Sequence, residues 1–238
     1  MSPDFAVRAT TPELMDTEDC EFETFRDCLV DLAAVNRLTL AQRPTLSFLR
    51  RLHREGRWPK ASPLRLLDVG SGYGDMLRRI DRWAGRRGLA MELTGLDLNP
   101  WSTRAATQAT PEGRPIRWLT ADAFAYEGEV DVIVSSLFAH HLDDPTLTRF
   151  LAWMEARAGV GWFVNDLHRL AFPYYGFALL AALMRWHRFV RHDGPVSISR
   201  AFRPADWRGF AAEAGLDLNT VEIAPRFPFR LCVARVRP

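Results

Sequence analysis

Lysine is almost missing from this chain. Lys60 is the only one, and the other thirty of the 31 basic residues are arginine. Schiff-base and other lysine-centred covalent chemistry therefore has no candidate beyond that residue. Cysteine is scarce too. Cys20, Cys28 and Cys232 form no CxxC or Cys/His cluster, which excludes a disulfide scaffold and gives no zinc motif. An excess of one charge is lacking: 31 basic against 29 acidic residues leave +2, too balanced for a nucleic-acid binder by bulk electrostatics. No apolar run reaches the roughly 18 residues that a membrane span needs. The opening MSPDFAVRATTPELMD lacks the basic and apolar regions of a signal peptide, so the expectation is a cytoplasmic protein. What is present is ordinary for a globular protein: 238 residues, 47% hydrophobic and 25% charged, ample for a substantial core.

Residues 1–60 show helical spacing and no strand pattern. Phe22, Phe25, Leu29, Leu32, Val35 and Leu38 share one face, and Leu46, Leu49 and Leu52 follow after a break before Pro44. Two helices are expected there, and Pro59 and Pro63 mark a turn into residues 61–238. From Leu64 strands and helices alternate. LRLLDVG (64–70), MELTGLDL (91–98), IRWLTADAF (116–124), VDVIVSSL (130–137) and WFVNDL (162–167) read as strands, and 75–87, 99–110 and 145–158 as helices. That alternation implies a parallel sheet covered on both faces. Residues 168–203 break it with the apolar stretch YYGFALLAALM (174–184) and the basic, aromatic RWHRFVRHDG. A helix over 204–214 and two strands turned near Pro225–Pro228 complete the chain.

The sequence Leu67-Asp68-Val69-Gly70-Ser71-Gly72-Tyr73-Gly74-Asp75 runs from a strand through glycines into a helix. Its GxGxG spacing is not the GxGxxG of dinucleotide enzymes, and no GK[ST] follows. Asp68 would repel a phosphate and suit a cation. Asp97 ends the second strand, where an acid can accept from both hydroxyls of a ribose. Ala121-Asp122-Ala123-Phe124 follows the third strand, and Asp131 opens the fourth. These four motifs, in order over residues 64–167, resemble those of class I S-adenosylmethionine-dependent methyltransferases. The resemblance implies a Rossmann-like, doubly wound α/β fold with a seven-stranded sheet in the order 3-2-1-4-5-7-6, an N-terminal helical lid over 1–60 and a helical cap inserted at 168–203. It implies S-adenosylmethionine as cofactor and S-adenosylhomocysteine as product. By the same resemblance the cofactor is held by Asp68, Gly70, Gly72, Asp97, Leu98, Asp122, Ala123 and Ser135. Arg37, near the end of the N-terminal helix, could pair with a carboxylate of the cofactor.

The acceptor is read from the residues after the fourth and fifth strands. Ser-Ser-Leu-Phe (135–138) lacks the [DNS]PP[YF] of base-modifying enzymes. A segment of the form DxIxxxxxxHDW, which supplies the general base of phenol O-methyltransferases, places that base on His140 when laid from Asp131; His141 then stands where the family has an acid. His168 and His141 are further candidate bases, with Asp166 facing the acceptor beside His168. Asn165-Asp166 and Ser135-Ser136 offer too few oxygen ligands for magnesium, so no metal is expected. Phe138, Tyr174, Tyr175, Phe177, Leu180, Met184 and Trp186 are candidates to line a pocket for a small aromatic acceptor. The cap, NDLHR and RHDGPVSISRAF resemble methyltransferases that act beside type III polyketide synthases, which implies O-methylation of a phenolic compound in secondary metabolism. C- or N-methylation and a non-catalytic cofactor-binding protein stay open as alternatives. No nucleic-acid partner is expected, at most a peripheral contact with a membrane, and a monomer or homodimer.

Overall fold

A computed structural model of the chain describes residues 4–17, 19–59, 62–237. Lys60, and with it the expected boundary between lid and main domain, lies outside the described residues. Seven strands form one sheet: β1 (Leu64–Val69), β2 (Met91–Asp97), β3 (Ile116–Thr120), β4 (Val130–Ser136), β5 (Ala158–Leu167), β6 (Val221–Arg226) and β7 (Arg230–Val236). Their order is β3-β2-β1-β4-β5-β7-β6, as the motifs imply. β1 to β5 are parallel, and β7 runs antiparallel to both β5 and β6.

The central strands are predominantly apolar because both faces are covered. Along β1, Leu64 and Leu66 join one core cluster and Leu67 and Val69 the other; β4 divides Val132 and Val134 from Ile133 in the same way. Successive side chains of a strand point to opposite faces, so a continuous apolar run feeds two cores. One face is covered by α3 (Arg43–Arg54) and α4 (Asp75–Gly85), where Phe48 stacks on Phe163 of β5 at 4.7 Å. The other carries α6 (Asp144–Arg157) and α9 (Pro204–Glu213) through Leu147, Phe150, Trp207 and Phe210.

Of the N-terminal helices, α3 is thus a layer of the core. The short α1 (Leu14–Thr17) and α2 (Phe22–Leu38) lie elsewhere. Phe22, Phe25 and Leu29 of α2 pack on Ala105 and Trp101 of α5 (Pro100–Gln108). Its Cys28 and Val35 pack on Phe189 and Val190 of α8 (Arg188–Arg200). The inserted segment holds two helices, α7 (Ala171–Leu183) and α8, although Pro195 lies inside α8. Proline at that position hid α8 in the sequence. The segment before α1 ties the insertion down. Arg8 donates to the carbonyls of His140, Leu142 and Arg200, and buried Arg169 donates to those of Phe5, Ala6 and Ala201. No helix of the described residues is long and apolar enough to cross a membrane.

Candidate active site

In an open α/β sheet ligands bind beyond the carboxyl ends of the strands, where the strand order reverses. Here that point lies between β1 and β4. A cavity of about 1120 Å³ opens there, roofed by α2, α7 and α8. Its floor comes from the strand ends: Val69–Tyr73 after β1, Leu96–Asn99 after β2, Ala121–Phe124 after β3, Ser136–Phe138 after β4 and Leu167 of β5.

The glycine turn has the geometry that a close-bound ligand needs. Gly70, Gly72 and Gly74 all have positive φ, at 71°, 51° and 74°. The space above Gly72 is open, with nothing within 4 Å of where a Cβ would stand. At Gly70 a Cβ would meet the Phe138 ring at 2.4 Å. Gly70→Ala combines that collision with a left-handed backbone, and it is expected to cost about 1–3 kcal/mol in denaturant unfolding.

Four acids line this end of the cavity, Asp68, Asp75, Asp97 and Asp122. Asp68 is buried and its Oδ1 has no hydrogen-bond partner. Burial, with the charges of Asp75 and Asp97 adding to it, raises its carboxyl well above the ordinary range. Asp75 accepts from Gln42 of the α2–α3 connection at 2.6 Å. Asp97 accepts from the Gly72 and Asn99 amides, at 2.8 and 2.9 Å. Ser102 also bonds to it, and a carboxylate with about four lone-pair sites keeps capacity for a ligand hydroxyl. An orphaned buried carboxylate, a Cβ-free cradle and a diol acceptor fit a cationic nucleoside such as S-adenosylmethionine. Asp68 would face its ammonium, Gly72 lie under it and Asp97 take the ribose. A cation bound beside Asp68 favours the carboxylate, so binding should release a proton and weaken as pH falls through the raised value. Without ligand the sign reverses. The folded state keeps a proton that the unfolded chain has lost, so Asp68 costs stability as pH rises from the ordinary carboxylate range through its raised value. Titrating S-adenosylhomocysteine in two buffers of different ionisation enthalpy should show the release in the native protein and not in Asp68→Asn.

Leu98 and Ala123 line the same end, Leu98 at its solvent edge, and Asp122 accepts from the Phe124 amide while facing the cavity. Two expected cofactor residues do not reach it. Ser135 is fully buried and donates to the Val69 carbonyl at 3.0 Å, which ties β4 to β1; the next residue on the strand, Ser136, faces the cavity. Arg37 is exposed on the outer side of α2, and Asn36, Thr39 and Gln42 face inward. A stretch of helix ending in a turn presents these polar residues, and their spacing carries no motif.

At the other end stands His140. Leu137, at φ 57°, turns the chain sharply after β4 and leads into a short 3₁₀ turn, Ala139–His141. His140 is 2% exposed and lines the cavity. Its Nδ1 lies 2.7 Å from Asp166 Oδ1, and its amide donates to Asp166 Oδ2 at 3.1 Å. Asp166 is therefore no acceptor contact. It is fully buried at the end of β5 and stays outside the cavity lining. Burial would raise its carboxyl, but the His140 charge and the hydrogen bonds from His140 and Leu167 outweigh that and hold it below the ordinary range. An ionised acid at Nδ1 only accepts, so Nδ1 carries the hydrogen, and in the neutral ring Nε2 is the nitrogen that holds the lone pair. The acid missing after the histidine in sequence is thus supplied 26 residues later, from the neighbouring strand.

His140 Nε2 lies 3.6 Å from Glu13 Oε1. Glu13 is buried, accepts from Ser197 of α8 at 2.8 Å and lines the cavity. Sequence reasoning missed it, because a lone acid in an irregular segment carries no signal. Ligand atoms of Glu13, His140 and His141 come within 4.8 Å of one another, a donor set of one carboxylate and two imidazoles that suits a transition metal.

The remaining candidates fall elsewhere. His168 bridges to Phe202, its amide donates to the Phe229 carbonyl, and its ring is outside the cavity lining; burial and then the charges of Arg203 and Arg169 lower its pKa. On α7 the residues that face the cavity are Phe172, Pro173, Gly176, Phe177 and Leu180. That helical spacing turns Tyr174 and Tyr175 to another side, where both rings meet Phe5. Trp186 stacks behind Phe177 at 5.9 Å. Phe138 does line the cavity, packed over Gly70 and edge-on to Phe150.

Residues 66–159 match the family model described as a methyltransferase domain. No curated protein matches the sequence. Among solved structures, the magnesium protoporphyrin IX methyltransferase of Synechocystis PCC 6803 with bound S-adenosylmethionine superposes with a TM-score of 0.54 at 13% identity, over 94% of this chain and 88% of that one. A protein of Nostoc punctiforme PCC 73102 provisionally described as an O-methyltransferase gives 0.59 at 13% identity, over 98% and 65%. The CurJ carbon methyltransferase gives 0.55 at 14% identity, over 77% and 51%. At these identities the likeness speaks to the fold, and the domain match to the activity. With the sheet order and the acid-lined glycine turn, they show a class I methyltransferase fold that carries a methyltransferase domain over residues 66–159.

Proposed function

We propose that the protein methylates the hydroxyl of a small phenolic acceptor, with His140 as general base. The observation that carries this reading is the buried Asp166–His140 pair at the cavity wall, which leaves Nε2 as the basic edge. The bound cofactor supplies a methyl group already activated on a sulfonium. The chain has to hold the acceptor oxygen in line behind that methyl, keep water out and take one proton. Alignment in a closed cavity contributes up to about 7–11 kcal/mol. Phe138, Phe172, Phe177 and Leu180 provide apolar walls that seat a ring and exclude water. As the oxygen attacks, its proton passes to His140 Nε2, where the Glu13 carboxylate lies alongside. A phenol, with a pKa near 10, needs only modest help to ionise near neutral pH.

The test is incubation with S-adenosylmethionine and a panel of phenols, catechols and alkylresorcinols, with products identified by mass spectrometry and proton NMR. An O-methyl ether supports the reading. A new ring carbon–methyl bond would assign C-methylation, in which the same base removes the ring proton. Cofactor binding without any product would leave a cofactor-binding protein. Chelation gives a second check. A base mechanism predicts unchanged turnover after EDTA treatment. Loss of turnover restored by zinc or manganese would instead place a metal on Glu13, His140 and His141.

A further inference from the structure

Arg230, the first residue of β7, is 4% exposed and lines the cavity. Its Nη2 donates to Thr39 Oγ1 at 3.2 Å, while Nε and Nη1 have no partner. No carboxylate of the described residues forms an ion pair with it. Asp166 is the acid whose charge acts on it, but both Asp166 oxygens are engaged by His140, and Oδ1 also by Leu167. Burial pulls this guanidinium down to about 10. Buried charges are ordinarily paired, and an arginine beside a cavity with two buried, unpaired N–H groups is short of an anion.

The position decides which anion. β7 pairs with β5, and β4 and then β1 follow across the sheet. Three strand spacings, roughly 14 Å, separate its strand from the glycine turn. Arg230 and His140 flank the same residue, Asp166, at the acceptor end of the cavity. The walls around it are Leu167, Phe172, Pro228 and Phe229, all apolar, with Thr39 as the polar neighbour. A planar guanidinium fork in an apolar wall matches a carboxylate.

We propose that Arg230 anchors a carboxylate of the acceptor, so that the acceptor class is an aromatic hydroxy acid: ring between the apolar walls, carboxylate on Arg230, hydroxyl toward His140. This rests on the methyltransferase reading above and names its substrate class. It also excludes the simple neutral phenols as preferred acceptors.

The test uses the full chain with S-adenosylhomocysteine bound, titrated calorimetrically with benzoate and with benzyl alcohol, in the native protein and in Arg230→Met and Arg230→Lys. Benzoate carries no hydroxyl, so its binding reports the anchor without any methyl transfer. The native protein should prefer benzoate by roughly thirtyfold. Arg230→Met should abolish the preference, and Arg230→Lys should keep part of it. S-adenosylhomocysteine affinity should be the same in all three. Equal affinity for benzoate and benzyl alcohol in the native protein overturns the proposal, and this comparison stands even if Arg230→Met does not fold. A loss of S-adenosylhomocysteine affinity in a folded Arg230→Met also overturns it, by giving the guanidinium to the cofactor's own carboxylate. Turnover then separates the two readings. Methylation of neutral phenols as readily as of 3- or 4-hydroxybenzoate removes the anchor and leaves the methyltransferase. Tight hydroxybenzoate binding without methylation keeps the anchor and removes the acceptor chemistry.

Discussion

His140→Ala is expected to lower kcat by about 10²–10⁴-fold on a phenolic acceptor while S-adenosylhomocysteine affinity stays unchanged. The split follows from the geometry. His140 belongs to the turn after β4 and to the wall shared with β5, whereas the acids suited to the cofactor end β1 and β2. Asp166→Asn is the sharper variant. It keeps the shape, but the amide can present its NH₂ to Nδ1 and favour the tautomer whose lone pair faces Asp166, not the acceptor. Its effect should be of the same order as that of His140→Ala, and the two should not add in the double variant, because both act through one proton. A chemical signature separates this from simple misfolding. Acceptors with lower phenol pKa should lose less rate in His140→Ala, since they need less help to ionise. Full turnover in His140→Ala would remove the base assignment and leave alignment as the source of the rate.

That prediction depends on a partner the linear pattern conceals. The motif over 131–141 points to His140, but the acid that orients it lies on the next strand, and adjacency in a parallel sheet is set by topology, not by sequence distance. Asp68, Gly70, Gly72 and Asp97 were legible because each depends on a local event: a strand ending in a tight turn, or an acid at a strand terminus. The succession of strands and helices was legible because alternation of apolar runs and helical spacing survives averaging over side chains, while the sheet order came from the resemblance of the motifs. The acceptor end was not. Of the candidates on the apolar stretch the cavity sees Phe177 and Leu180, with Phe172 beside them, and not Tyr174 or Tyr175, because helix rotation is fixed by what α7 packs on. Ser135 and Ser136 differ by one pleat, and Arg37 and Asn36 by about 100° of helix. Glu13 and Arg230 lie far apart in sequence and meet the cavity from opposite ends of the chain, so neither had a neighbour to mark it.

Asp97→Ala should weaken S-adenosylhomocysteine binding by about 10²-fold or more. Each hydrogen bond from a ribose hydroxyl to a carboxylate contributes about 1.5–3 kcal/mol, and the variant loses it together with the order that the carboxylate gives the turn. The same carboxylate accepts from the Gly72 and Asn99 amides, so the variant also loosens the glycine turn before any ligand arrives. Calorimetric titration well below the unfolding midpoint separates that loss of order from lost contacts. Asp97→Asn is informative because it should not rescue. Its oxygen can serve one amide, but its NH₂ then faces the other N–H donor, and one of the two bonds becomes a clash of donors. Burial raises the Asp97 carboxyl above the ordinary range, against the amide hydrogen bonds that favour its ionised form, so acidification should imitate the variant by replacing an acceptor with a donor. If Asp97→Ala bound S-adenosylhomocysteine as tightly as the native protein, β2 would not end at the ribose, and the cofactor would have to lie against a different part of the cavity floor than the one its acids mark out.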